Sequence, residues 1–257
     1  MRLAKRLKGF DLDIGWSVDA GFTVLFGYSG AGKSLTLSML AGTMRPDSGR
    51  VVLDGATLCD TDEHIWVPPQ RRGIGYVAQN AQLFPHMTIR GNVEYALGSW
   101  PGRGRRARAM TLLDRLDVAA LADKRPDQIS GGQKQRCALA RALALEPRAL
   151  LLDEPLSALD LPVRVEMRRL LRDVQRESGV PFVMVTHDLY EACTLADTLV
   201  VYSGTGAVQV GSPRELIGDP GTPEIRRLLH AMELPESVFG QKHVGQLVPL
   251  NRQESVA

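Results

Sequence analysis

The chain has 257 residues, 44% of them hydrophobic and 23% charged, which gives room for one large domain or a core with a modest insertion. Disorder, collagen and coiled coil are excluded by that composition. Its 31 Lys and Arg against 29 Asp and Glu leave a net charge of +2, so charge makes no case for a polyanionic partner.

The basic N-terminal residues Arg2, Lys5, Arg6 and Lys8 are followed by Asp11 and Asp13 before any secretory apolar core can begin, so the chain reads as one that is not exported. Phe22–Phe26 is a short apolar, β-branched run ending at Gly27, and from Ser34 the apolar spacing through Leu35, Leu37, Met39 and Leu40 becomes helical. That is strand, glycine loop, helix. Pro46–Gly49 is turn chemistry, and Arg50–Leu53 followed by Asp54-Gly55 predicts a strand closed by a hairpin, in a small antiparallel element beside the first strand. Ile74–Ala78 is a further strand, with Gln79 at or just past its end. From about 84 to 147 no β-branched run occurs, which predicts a helical insertion broken by a Gly/Arg-rich loop at Trp100–Arg108 and ending in a helix over Lys134–Leu145. Strands return at Ala149–Leu152, Pro181–Thr186 and Thr198–Tyr202, alternating with helices at Val163–Glu177 and Leu189–Ala196, the pattern of a parallel α/β sheet. No apolar run reaches the roughly 18 residues a membrane-spanning helix needs. Cys59, Cys137 and Cys193 have no metal-ligand spacing and read as buried thiols in a reducing compartment.

Gly27, Tyr28, Ser29, Gly30, Ala31, Gly32, Lys33 and Ser34 form GxxxxGK[ST] between a strand and a helix. Small residues let the backbone N–H groups curl around phosphates, Lys33 reaches the β/γ-phosphates of a nucleotide, and the Ser34 hydroxyl suits Mg²⁺. Leu150–Leu152 then delivers Asp153 and Glu154 at the end of a buried strand, where two carboxylates are costly unless a metal or water satisfies them. Asp153 is placed to hold the Mg²⁺ shell and Glu154 to accept a proton from an attacking water. Ser130, Gly131, Gly132 and Gln133 precede a helix and make a second anion-binding terminus; alone they equally suit an ordinary capped helix.

In this combination the sequence resembles the nucleotide-binding subunits of ATP-binding cassette (ABC) transporters over about residues 10–230. The glycine loop matches their Walker A motif, Gln79 the Q-loop, Ser130–Gln133 the signature, Asp153-Glu154 the end of Walker B, Ser157–Asp160 the D-loop and His187 the switch histidine. The resemblance implies a P-loop NTPase (RecA-like) α/β core with an antiparallel β subdomain and an inserted helical subdomain. It implies an ATPase domain over 1–231, with the insertion at about 84–147 and a short tail over 232–257. It further implies ATP and Mg²⁺ as ligands and a homodimer in which the signature of one chain closes on the ATP held by the other. Gln79 would touch the metal and the water, His187 the γ-phosphate, and Asp160 would link the two sites. For adenine, Leu7 matches by position, with Phe10 and Trp16 as alternatives, and none is assigned. Ala78 stands where many relatives carry an aromatic residue.

Val67–Arg72, Ile74–Val77 and Ala81–Thr88 look most like ATPases of molybdate importers, with tungstate, sulfate and other solute importers as the neighbouring readings. The implied partners are integral membrane permease subunits and, acting through them, a periplasmic or extracellular oxyanion-binding protein, with the chain peripheral on the cytoplasmic face of the plasma membrane and no nucleic acid bound. Leu83, Phe84, Met87 and Ile89 are given a mixed role, as core and as a groove for a permease helix. About 25 residues follow the core, too few for the complete C-terminal oxyanion-binding domain of many such relatives. A soluble ABC ATPase of repair or translation is disfavoured by the single set of motifs and the length, and a P-loop kinase leaves Ser130–Gln133 without a use.

Overall fold

The structure is a computed structural model that describes residues 1–17, 20–98, 101–203 and 208–230. The first stretch is a hairpin, β1 (Arg2–Leu7) and β2 (Phe10–Gly15), followed by β3 (Phe22–Gly27) and α1 (Lys33–Ala41). Next come β4 (Ser48–Leu53), β5 (Ala56–Asp60), β6 (Ile65–Trp66) and β7 (Ile74–Val77), then the helices α2 (Ile89–Ala96), α3 (Gly102–Arg115) and α4 (Gly131–Leu143). The remainder alternates: β8 (Ala149–Asp153), α5 (Leu161–Ser178), β9 (Phe182–Thr186), α6 (Leu189–Leu195), β10 (Thr198–Tyr202), β11 (Val208–Gly211), α7 (Pro213–Gly218) and α8 (Pro223–His230).

The strands form two sheets. One is antiparallel in the order β2-β1-β4-β5-β6; the other has the order β11-β10-β3-β9-β8-β7, parallel except for β11. β3 is buried along its whole length, as a strand covered on both faces must be, and that explains its unbroken apolar run. One apolar cluster, containing Leu3, Leu12, Ile14, Leu37, Val51 and Val185, joins the antiparallel sheet to α1 and the parallel sheet. A second, containing Phe22, Phe26, Leu112, Leu139 and Leu171, joins the parallel sheet to the inserted helices and α5. Because the strands from β10 to β7 are parallel, Gly27, Val77, Asp153 and Thr186 all end at one edge of the sheet, and the loops that follow them converge there.

The expected α/β architecture, with its antiparallel element and helical insertion, is what the chain forms. Three local expectations are corrected. Arg103–Arg108 is the first part of α3, not a loop. Its arginines are good helix formers, and Ala109, Leu112 and Leu113 bury at helical spacing, which outweighs Gly102 and Gly104. Trp100 and the tail 232–257 lie outside the described residues. The helix expected from Lys134 starts at Gly131 and ends at Leu143, so Gly131-Gly132-Gln133 is its first turn. Cys59 and Cys137 are buried as expected, while Cys193 is only half-buried. Among the described residues no helix is long and apolar enough to cross a membrane.

Candidate functional site

The loop between β3 and α1 is shaped by backbone that side chains do not tolerate. Gly27 has φ +152 and a Cβ there would lie 2.4 Å from the Tyr202 carbonyl oxygen, so the first position must be glycine. Gly32, at φ +92, precedes α1 without any side-chain cap, which leaves the first-turn N–H groups open to an anion. Tyr28, Ser29 and Gly30 are exposed, Ala31 is buried, and Ser34 opens the helix beside Lys33. Lys33 is almost fully buried, and its Nζ donates to the carbonyls of Gly27 at 2.9 Å and Tyr28 at 2.7 Å. Burial lowers its pKa, and the charges of Glu154 and Asp153 pull it back up.

Across the sheet edge, Asp153 accepts from Ser34 Oγ at 2.8 Å and from Tyr76 Oη at 3.0 Å. Burial, then the Asp153 charge and hydrogen bond, push the Tyr76 phenol well above its ordinary pKa, so it stays a donor. Glu154 sits at φ +45 and faces two side chains: Gln79 Nε2 donates to its Oε2 at 3.3 Å, and His187 Nδ1 lies 3.4 Å from its Oε1. Gln79 also donates to Ser157 Oγ at 3.2 Å, and Ser157 Oγ donates to the Glu154 carbonyl at 2.9 Å. The structure thus brings Ser34, Lys33, Asp153, Glu154, Gln79 and His187 to one edge. A hydroxyl and a carboxylate meeting at 2.8 Å are an oxygen donor set that suits Mg²⁺, which keeps water in its remaining positions. Gln79 spends its amide nitrogen on Glu154 and Ser157 and makes no hydrogen bond to the Ser34–Asp153 pair.

The second anion terminus is built differently. Ser130 Oγ accepts from Gln133 N at 3.3 Å and Gln133 Oε1 accepts from Ser130 N at 2.9 Å, a closed capping box. Gly131 is exposed, and Gly132 is held against Val163, whose Cγ1 would lie 2.5 Å from an added Cβ. Asp160 caps α5 through Val163 N at 3.1 Å. The hydrogen bonds of Ser130 and Gln133 therefore stay within their own turn, and the turn packs on the start of α5 instead of on the glycine loop of the same chain.

Two groups at this edge escape the sequence reading. Tyr76 holds Asp153 directly, and Arg164 donates to the Leu159 carbonyl at 3.0 Å while lying 3.5 Å from Asp188 and 3.7 Å from Glu191. Glu191 is buried, accepts from Thr186 Oγ1 at 2.7 Å, and burial raises its pKa. Only Tyr76 had a signal in sequence: an aromatic hydroxyl three residues before Gln79, on a strand expected to end at the site. Of the adenine alternatives, Trp16 is buried and donates to Tyr202 Oη at 3.4 Å, so it belongs to the core. Phe10 packs on Gly32, and Leu7 is exposed.

Beyond Gln79, Ala81 and Gln82 both have positive φ, and Arg141 holds them by donating to their carbonyls at 3.2 and 2.8 Å. Ile89 is fully buried and is core alone, whereas Leu83, Phe84 and Met87 are half-buried. Phe84 stacks edge-on against the exposed Tyr95 at 4.8 Å, so an aromatic pair marks the surface beside the loop.

The profile of the ABC transporter family matches residues 13–157. A molybdate/tungstate import ATP-binding protein of Archaeoglobus fulgidus is 44% identical over 216 residues, covering 84% of this chain and 88% of that protein. A molybdenum import ATP-binding protein of Paramagnetospirillum magneticum is 40% identical over 85% of this chain and 60% of its own length. A spermidine/putrescine import ATP-binding protein of Acidothermus cellulolyticus is 46% identical over 79% of this chain and 52% of its own length. The chain thus spans little more than half of the last two. The dimeric post-hydrolysis structure of the ATP-binding cassette MJ0796, bound to ADP and Pi, superposes with a TM-score of 0.69 at 29% identity, covering 83% of this chain and 96% of that one.

Proposed function

The chain belongs to the ABC transporter family, and from that membership we propose that it is the ATP-hydrolysing subunit of an importer that draws molybdate or tungstate through a membrane permease. One observation carries the chemical part: the glycine loop, both Walker B carboxylates, Gln79 and His187 share one sheet edge, while Ser130–Gln133 packs on Leu159 and Val163. A second chain is what brings a signature to the nucleotide, so the working unit is a homodimer with two composite sites. Residues 1–231 form the ATPase domain, and α2, α3 and α4 make up its helical subdomain.

In each site the backbone of Gly27–Gly32 wraps the phosphates, and Lys33 exchanges its two carbonyl partners for phosphate oxygens. Ser34 and Asp153 would hold the Mg²⁺ that accompanies ATP, and the ion would supply charge neutralisation at the phosphate oxygens. Glu154 takes the proton of the attacking water, with Gln79 and His187 holding its two carboxylate oxygens toward the γ-phosphate side. Ser130, Gly131, Gly132 and Gln133 close over the γ-phosphate of the partner's ATP, and Asp160 lies beside the junction of the two chains.

Molybdate or tungstate is preferred to spermidine or putrescine because the likeness to the first relative extends over nearly its whole length. Permease subunits engage the surface of Leu83, Phe84, Met87 and Tyr95 on the cytoplasmic face of the membrane, and an external oxyanion-binding protein acts through them. The test of the chemistry is Glu154→Gln, which removes the proton acceptor but keeps the shape. Hydrolysis should fall by about 10²–10⁴-fold, and light scattering should find a dimer in Mg-ATP and a monomer in Mg-ADP. A monomer in both, with undiminished hydrolysis, removes Glu154 as the base. The substrate is tested by ATPase activity of the reconstituted complex with binding proteins loaded with molybdate, tungstate, sulfate or spermidine; stimulation by spermidine alone overturns the oxyanion assignment.

A further inference from the structure

β7 runs parallel to β8 with Tyr76 opposite Leu151, which places Asp153 two residues further along the neighbouring strand on the same face. A tyrosine is long enough to cross that diagonal, and its hydroxyl does so, ending 3.0 Å from Asp153 Oδ2. The other carboxylate oxygen is held by Ser34 at 2.8 Å, so the Asp153 side chain is fixed at both oxygens by donors from different elements. The ring of Tyr76 is packed in the apolar cluster that joins α1 to the sheets, so the phenol is held from behind. Three residues later the same segment places Gln79 on Glu154, and one strand end therefore grips both carboxylates of the site.

We propose that Tyr76 is a positioning residue for the metal side of the reaction: by donating to Asp153 Oδ2 it locks the carboxylate in the orientation that, with Ser34, receives Mg²⁺. The proposal rests on the reading of Asp153 as the metal-side carboxylate. Free of the phenol, Asp153 keeps only the Ser34 hydroxyl and samples other rotamers, so part of the ion's binding energy is consumed in ordering it. Partners of this kind are commonly worth 10–100-fold in metal affinity. Phosphate contacts made by the glycine loop and Lys33 do not involve the phenol, so nucleotide binding without metal is independent of it.

The experiment is an equilibrium titration of a fluorescent ATP analogue into the full chain, first in EDTA and then across a range of Mg²⁺, for the wild type, Tyr76→Phe and Asp153→Asn. Tyr76→Phe should match the wild type in EDTA and should need about tenfold more Mg²⁺ to reach half of its metal-dependent gain in affinity. Tyr76→Met, which fills similar space without a donor, should show the same shift and replaces the Phe variant if that fails to fold. Equal loss of affinity with and without Mg²⁺ would mean packing alone and overturns the proposal, as does a Mg²⁺ midpoint within twofold of the wild type. If Asp153→Asn leaves the Mg²⁺ response intact, the metal reading of Asp153 fails and takes the proposal with it. If Asp153→Asn abolishes the response but Tyr76→Phe does not shift it, only the positioning role fails.

Discussion

Arg72 is 1% exposed and has no carboxylate partner among the described residues; its charge is met by carbonyls. Nη1 donates to Met39 O at 2.8 Å and Leu40 O at 2.7 Å, Nε donates to Val67 O at 2.8 Å, and the guanidinium lies 4.5 Å from the centre of the Trp66 ring. Met39 and Leu40 sit in the last turn of α1, where the helix dipole is negative, so the arginine acts as a cap from outside the helix. Gly42 is required beneath it, because an added Cβ would lie 2.4 Å from Nε. Arg72→Met removes three charge-assisted bonds, each worth about 1.5–3 kcal/mol, and recovers several kcal/mol of guanidinium desolvation. The carbonyls left without partners tip the balance, and the net loss should be about 3 kcal/mol, read as a lower urea midpoint at unchanged slope. α1 carries the phosphate loop at its other end, so Mg-ATP at a hundred times its Kd should restore about 2.7 kcal/mol. A loss under about 1 kcal/mol would refute the capping argument. Failure of Mg-ATP to restore stability, with affinity reduced at least a hundredfold, would instead show that the cap also shapes the loop.

Ser130→Arg costs about 1 kcal/mol of helix capping, so the variant should fold and bind ATP as the wild type does, yet hydrolyse none in a malachite-green phosphate assay; normal turnover would contradict a composite site. Asp197 receives Arg172 and the Phe22 amide, and these hold its carboxyl below the ordinary range, the Arg172 bond foremost and partial burial opposing it. A depressed acid adds stability that is present above its unfolded pKa of about 4 and is lost as pH falls through the lower folded value. Asp197→Asn should therefore cost about 1 kcal/mol at pH 7, given the half-exposed pair, and progressively less below about pH 4. A constant difference between urea midpoints across that range would assign the effect to packing at β3 instead of charge.

What the sequence made legible is what chain neighbours decide. The glycine loop, the buried run into Asp153-Glu154 and the return of strands at Pro181 and Thr198 are local patterns, and each lies within a residue or two of its expected place. β1 and β2 were not read, because half-exposed strands at a sheet edge carry Arg2, Lys5, Arg6, Asp11 and Asp13 between the buried Leu3, Leu12 and Ile14, which masks the alternation. The contact of Tyr76 with Asp153 depends on the register between residues 77 apart on neighbouring strands, and that of Arg164 on the first turn of α5 meeting the start of α6 beyond β9. No window along the chain contains either.

The two anion-binding termini, alike on paper, separate once their caps are seen. α1 follows a left-handed glycine and has no side-chain cap, so its first N–H groups have nothing within the helix to satisfy them and a phosphate is the natural partner. α4 begins with Ser130 and Gln133 satisfying each other's backbone N–H, so this terminus is partly capped in the single chain. A helix that already has its cap gains less from an anion than a bare one does, because the anion must replace hydrogen bonds already made. On the function proposed above, the glycine loop binds nucleotide first, and Ser130–Gln133 engages when a second chain presents a phosphate already held, an order that would place dimerisation after nucleotide binding.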